Sequence, residues 1–215
     1  MTGTDRRPLS SRDTGWARAV TAWLVKTSIT PNRISMASMG AAALAGAGFW
    51  AAGTSDGWLR GGLLVAAALF CQLRLMCNLF DGLVAVEGGK QAADGPFWNE
   101  FPDRVADILI LVGAGLGASE PALGWAAATF AVLTAYVREL GRANGLPADF
   151  RGPMAKQHRM ALMTAAALAA AFAPLWPEAG MAVTLALWAV VLGAALTAVR
   201  RARAIVAGLK DGRRA

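Results

Sequence analysis

Charge is scarce in this chain of 215 residues: Asp, Glu, Lys and Arg make up 16% of it, against about a quarter in soluble domains. Its hydrophobic share is high, at 56%. That pairing excludes an ordinary soluble fold and a disordered chain alike. Cysteine is nearly absent, and Cys71 and Cys77 form neither a disulfide framework nor a zinc-ligand pattern, so both read as packing residues. The lone histidine, His158, sits beside basic residues and reads as a loop or interface residue. The chain shows no internal repeat at solenoid periods, and its first residues are too polar for the apolar core of a secretory signal peptide. Acidic residues are outnumbered 14 to 21, a formal net charge of +7. Such an excess raises nucleic acid as a partner, yet no aromatic-rich basic patch accompanies it.

What the chain does have is a series of long apolar runs bounded by charges, Gly or Pro. Six are read as membrane spans: Ile34–Gly53, Trp58–Val86, Asp103–Ala118, Ala122–Leu140, Arg159–Trp176 and Met181–Ala207. Most reach the roughly 20 residues that cross about 30 Å of hydrocarbon. Ala, Gly and Leu dominate them, as expected where helices pack on small side chains. Gly113, Gly115 and Gly117 form a small-residue face on the third span, read as internal packing, with a dimer contact as the alternative. With six spans the basic residues before span one, at Lys90, around 142–159 and after Arg200 all fall on one side, and the other side holds only Arg60. The positive-inside rule then puts both termini in the cytoplasm and explains the net charge as topology, not nucleic-acid binding. Trp16, Ala17, Val20, Trp23 and Leu24 recur at helical spacing and predict an interfacial amphipathic helix ahead of span one. The expected fold is all-α and integral to the membrane: a cytoplasmic segment with that helix (1–33), a six-transmembrane-helix bundle (34–207) and a basic tail (208–215).

Polar groups inside lipid are costly, so they are functional candidates. Here they converge on spans two and three. Asn78, Asp81, Gly82 and Ala85 lie three or four apart and share one helical face. Gly95 follows Val86 after eight residues, then come Asn99, Asp103 and, one turn on, Asp107. Two elements thus present oxygen ligands to a common point, which suits a hard divalent cation and phosphate oxygens. The alternative is a polar stripe that serves only helix packing or a water-filled path.

The segment resembles the signature of the CDP-alcohol phosphatidyltransferase family, D-x2-D-G-x2-A-R-x8-G-x3-D-x3-D, with its spacing kept from Asn78 to Asp103. Thr30-Pro31-Asn32 resembles the family's entry to its first core helix, and Tyr136, Arg138, Arg142, Lys156 and Arg159 resemble the basic acceptor region of members that use phosphorylated polyols. The resemblance implies a six-helix membrane enzyme, usually dimeric, that moves a phosphatidyl group from a CDP-alcohol such as CDP-diacylglycerol to an alcohol hydroxyl and releases CMP. It implies Mg²⁺ or Mn²⁺ held by Asn78, Asp81, Asn99 and Asp103, with Asp103 as general base. It implies cytidine diphosphate held by Asn32, Asp81, Gly82, Ala85 and Gly95, and an acceptor phosphate held by Arg138, Arg142, Lys156 and Arg159. The lipid would enter sideways and the acceptor from the cytosol, in a bacterial inner membrane.

Three positions depart from the signature: Asn78 and Asn99 replace aspartates, and Val86 replaces an arginine. An amide oxygen ligates without charge, so weaker metal binding is expected, with Glu100 as a substitute carboxylate. Arg74, one turn before Asn78, is expected to pair with Asp107, since either alone in a membrane is costly. The departures fit a divergent enzyme or a catalytically degenerate CDP-lipid binder. A small transporter is a further rival, but the outer halves of the spans carry almost no polar residues.

Overall fold

A computed structural model of the protein describes residues 14–212. Arg6, Arg7 and Arg12 of the N-terminal basic set, and Arg213 and Arg214 of the tail, lie outside the described residues. The described chain folds into seven α-helices: α1 (Gly15–Val25), α2 (Pro31–Gly53), α3 (Gly57–Glu87), α4 (Gly95–Gly117), α5 (Pro121–Ala143), α6 (Lys156–Ala171) and α7 (Ala182–Gly212), with a short 3-10 turn at Pro177–Met181.

Helix starts follow local chemistry. The Thr30 hydroxyl accepts from the Arg33 amide at 3.3 Å, and Pro31 occupies the first helical position of α2, where its missing amide costs nothing. Proline also sits in the opening turns of α4 and α5. Pro96 lets α4 begin at Gly95, eight residues ahead of the expected span, so Asn99, Asp103 and Asp107 share one continuous helix. Pro102 lies inside it and leaves the Trp98 carbonyl without its helical amide partner. Helix α6 is shorter than expected; its chain turns after Ala171, and Phe172–Trp176 is not helical.

The burial pattern runs opposite to that of a soluble domain. Much of the core is alanine, with Ala42, Ala45, Ala67, Ala106, Ala114, Ala127 and Ala131 almost fully enclosed. Large apolar side chains point outward, among them Leu69, Trp125, Leu185 and Leu192. Bulky residues outside and small ones at helix contacts are what a lipid solvent favours. Helices α2 and α3, and the 3-10 turn continued by α7, are long and apolar enough to cross a membrane. The chain is an integral membrane protein.

Helix α2 packs against both α3 and α4, α5 packs on α4 and α7, and α6 fills the space between α3 and α7. The seam of α2 and α4 is backbone on backbone: a methyl group at Gly46 would strike the Leu109 carbonyl, and one at Gly117 would strike the Phe49 carbonyl. Gly113 faces Gly46, and Gly115 faces Gly124 of α5, so this small-residue face is internal packing. Gly46→Val is expected to cost at least about 1–3 kcal/mol, read as a lower unfolding midpoint in detergent. Gly62→Ala meets no atom within 4 Å and is expected to gain up to about 1 kcal/mol of helix propensity.

Helix α1 lies across the end of α3, with Ala17 and Thr21 buried and Trp16 edge-on to Phe80 at 5.8 Å. The α5–α6 loop is fastened to α7: Arg201 donates to the carbonyls of Arg151 (2.9 Å) and Thr134 (2.8 Å), and the Met154 amide donates to Thr197 Oγ1 at 3.1 Å. Gly152 takes φ +127° there, packed on Thr197, a conformation that favours glycine. These anchors fix where α6 begins, and α6 begins with Lys156.

Candidate functional site

The end of α3, the start of α4 and the start of α6 meet at Asp103. Its Oδ1 accepts from Asn78 Nδ2 at 2.6 Å and from Arg74 NH2 at 3.0 Å. Its Oδ2 accepts from Lys156 Nζ at 2.5 Å, with Arg104 NH2 at 3.5 Å. Lys156 Nζ also donates to Asn78 Oδ1 at 2.6 Å, so one ammonium links all three helices. Asp103 is 4% exposed at its side chain and Lys156 22%, so Lys156 is the side of the pair nearer the mouth of the cluster.

Asp81 stands one turn further along α3. Its Oδ2 accepts from the Ser35 hydroxyl of α2 at 2.7 Å, and its Oδ1 is buried without a hydrogen-bond partner. Gly82 and Gly95 have no atom within 4 Å of where a Cβ would stand, so both border open space. Asn32 donates to both oxygens of Asp94, at 3.1 Å each, and Trp98 Nε1 donates to the same carboxylate at 2.9 Å. Those contacts tie the start of α2 to the start of α4 beside Gly95. Lys90 reinforces that end by donating to the Thr27 and Ile29 carbonyls, the former at 2.7 Å.

Deeper in the bundle the charges form a wider network than the single pair expected. Asp107 Oδ2 accepts from Arg159 NH2 at 2.5 Å, whereas Arg74 lies 3.9 Å from Asp107 Oδ1 and bonds Asp103 instead. The expected Arg74–Asp107 pair is present as a loose contact at 3.9 Å, and each has a closer partner, Asp103 for Arg74 and Arg159 for Asp107, because α6 inserts Arg159 beside α4. Arg159 is 2% exposed and also donates to the Met154 carbonyl. Its guanidinium is part of the fold's interior. Glu100 does not turn towards the signature residues; it accepts from Arg104 at 3.3 Å and from Arg138 at 2.5 Å. Asn99 is exposed and stands apart from Asp103's bonds.

Arg138 and Arg142 share Glu139, at 2.9 and 3.1 Å, and the Arg138 guanidinium lies 5.5 Å from the centre of the Phe150 ring. On the loop beyond, hydrogen bonds from Arg151 hold the Asp149 carboxyl below the usual carboxylate range. Sequence reading missed Ser35, Asp94 and Arg201. Ser35 and Ser38 are the hydroxyls interrupting span one, which was a usable signal; the partners of Asp94 and Arg201 are distant in sequence and left none.

No protein-family model and no curated protein matches the sequence. Solved structures do match the fold. Phosphatidylinositol phosphate synthase (PgsA1) of Mycobacterium tuberculosis, with CDP-DAG bound, superposes with a TM-score of 0.72 at 17% identity, over 87% of this chain and 92% of the synthase. The fold is that of a CDP-alcohol phosphatidyltransferase. The same synthase in complex with manganese and citrate matches equally well, at TM-score 0.72, 17% identity and 87% of each chain. Its apo form matches at 0.68 and 18% identity, over 85% of this chain and 92% of that one.

A divalent ion is the group that this fold implies for the site. Mg²⁺ requires oxygens at about 2.0–2.1 Å, but the facing oxygens of Asn78 and Asp103 already close on Lys156 Nζ at 2.6 and 2.5 Å. An ion about 4 Å from that ammonium would meet a repulsion on the order of 8 kcal/mol at an effective dielectric of 20. Asp103 and Asp107 are already ion-paired with Arg74, Lys156 and Arg159. Among the described residues no three His, Cys, Asp or Glu side chains converge as a metal centre. The residues as arranged do not fit a divalent ion between α3 and α4.

Proposed function

We propose that this chain is a phospholipid-synthesis transferase that moves a substituted phosphoryl group from a CDP-alcohol, such as CDP-diacylglycerol, to a polyol or phosphorylated polyol and releases CMP. The observation that carries this reading is the convergence of Asn78, Asp103 and Lys156 at one mouth of the bundle, with Asp81 one turn along α3 and open space at Gly82 and Gly95. Gly82, Ala85 and Gly95 would let the nucleotide lie against the helices, and Asn32, held by Asp94, would close its pocket. Arg138 and Arg142 would receive a phosphate on the acceptor, in the forked geometry that guanidinium groups favour.

In the transfer, the acceptor oxygen forms a bond to the lipid-side phosphorus. The bond from that phosphorus to the bridging oxygen breaks, and CMP leaves with the electron pair. The hydroxyl proton goes to Asp103 Oδ2, the carboxylate oxygen nearest the mouth, once Lys156 moves off it. Six crossings with both termini in the cytoplasm would put this mouth at the inner leaflet of a bacterial membrane, where lipid, nucleotide and acceptor meet.

A second reading, a CDP-lipid binder without transfer activity, draws on the same contact, since Lys156 covers the oxygen that would take the proton. Release of CMP from CDP-diacylglycerol by purified protein, across a panel of alcohol acceptors, separates the two. Acceptor-dependent release supports the transferase. Lipid binding with no release under any acceptor supports the binder, and neither binding nor release overturns both.

A further inference from the structure

We propose that Lys156 is the resident cation of this site: its ammonium joins Asn78 of α3 to Asp103 of α4, and it binds the diphosphate of a CDP-linked lipid without a metal. This inference rests on the CDP-lipid reading above.

Asn78 and Lys156 are chemically matched. The amide of Asn78 donates to Asp103 Oδ1 through Nδ2 and accepts from Lys156 through Oδ1. An aspartate at 78 has no donor and would set a second anion against Asp103 at hydrogen-bond distance. The departure from the signature at Asn78 thus supplies the bond that holds the two helix ends together without added charge. An ammonium carries three donors, of which Asn78 and Asp103 use two, leaving the third for a phosphate oxygen. Charge follows the same logic. Asp103 already carries its cations before any ligand arrives, and Arg104 beside it is paired with Glu100. An incoming diphosphate therefore meets a site whose carboxylate is already countered, whereas a site built from four carboxylates repels it until metal binds.

Lysine also differs from an ion in being tethered. Its flexible four-carbon stem lets Nζ shift from Asp103 to the diphosphate without leaving the site. That shift uncovers Asp103 Oδ2 when the donor lipid is in place and keeps it covered when the pocket is empty.

The test is equilibrium binding of CDP-diacylglycerol in mixed micelles to the purified full chain, in EDTA and in Mn²⁺, with Mn²⁺ binding to the protein alone read by electron paramagnetic resonance. The expected Kd in EDTA lies within about threefold of that in Mn²⁺. Lys156→Met is expected to weaken binding in EDTA at least about tenfold, and Lys156→Arg to recover most of it. The wild-type protein is expected to bind no Mn²⁺, and the Lys156→Ala, Asn78→Asp, Asn99→Asp triple variant to gain it. Binding that EDTA abolishes and Mn²⁺ restores overturns the inference and leaves the CDP-lipid reading standing. Lys156→Met binding as well as wild type in EDTA overturns it too. No lipid binding in either buffer overturns the CDP-lipid reading and this inference together.

Discussion

CMP release by Asp103→Asn is expected to fall by about 10²–10⁴-fold, the range for loss of a positioned general base, while lipid binding changes far less. Asparagine keeps the shape but only one acceptor oxygen, where Asp103 offers Oδ1 to Arg74 and Asn78 and Oδ2 to Lys156, and it has no site for the hydroxyl proton. The variant also loses a negative charge among buried cations. Arg74 is 0% exposed, and its remaining acidic neighbour is Asp107 at 3.9 Å. Some loss of stability is therefore expected beside the loss of rate. The two separate experimentally: unfolding in detergent reports the first, and the rate at saturating donor and acceptor reports the second. A rate within tenfold of wild type in a folded Asp103→Asn protein would remove Asp103 from the proton's path.

The larger effect on folding is expected from Asp107→Asn. Breaking a buried pair from one side costs about 3–5 kcal/mol, a large part of the roughly 5–15 kcal/mol that holds a domain together. Arg159 would lose the anion it bonds at 2.5 Å and keep only neutral acceptors, the Met154 carbonyl and the new amide. Membrane-inserted yield and unfolding midpoint should both drop steeply. Replacing the pair together, as Asp107→Leu with Arg159→Met, is expected to lie nearer wild type than either single change, because no uncompensated charge remains. Exchange of Arg74 and Asp107, as Arg74→Asp with Asp107→Arg, is not expected to rescue its single variants. If that exchange rescued folding and the paired Asp107–Arg159 replacement did not, the pairing in the interior would be the reverse of the one described.

The helices were legible in the sequence because hydropathy and length are local properties. Span one and span two correspond to α2 and α3 within a few residues. The start of α4 was less legible: Gly95–Pro102 opens on glycine and carries two prolines, and composition alone cannot distinguish such a stretch from a loop. The signature's spacing carried the cluster, since Asn78 and Asp103 do meet. Partner choice did not follow from spacing. Arg74 could reach either Asp103 or Asp107, one turn apart on α4, and the arrival of α6 decides between them by delivering Lys156 to the first and Arg159 to the second. Placement of α6 depends on Arg201 and Thr197 gripping a loop some fifty residues away in sequence. A charged residue read from its neighbours alone looks like a topology marker; packing turned Arg159 into an interior strut.

The glycines of this molecule record two separate histories of constraint. At the α2–α4 seam every alternative side chain adds an atom where a carbonyl already stands, so selection for a folded protein alone suffices to hold Gly46 and Gly117. At Gly82 and Gly95 nothing within 4 Å opposes a methyl group. Any intolerance there comes from outside the polypeptide. A saturation-mutagenesis map of this chain, scored once for abundance and once for growth, thus contains its own internal calibration: the seam sets the signature of lost folding, and the two open glycines report the footprint of whatever the protein holds.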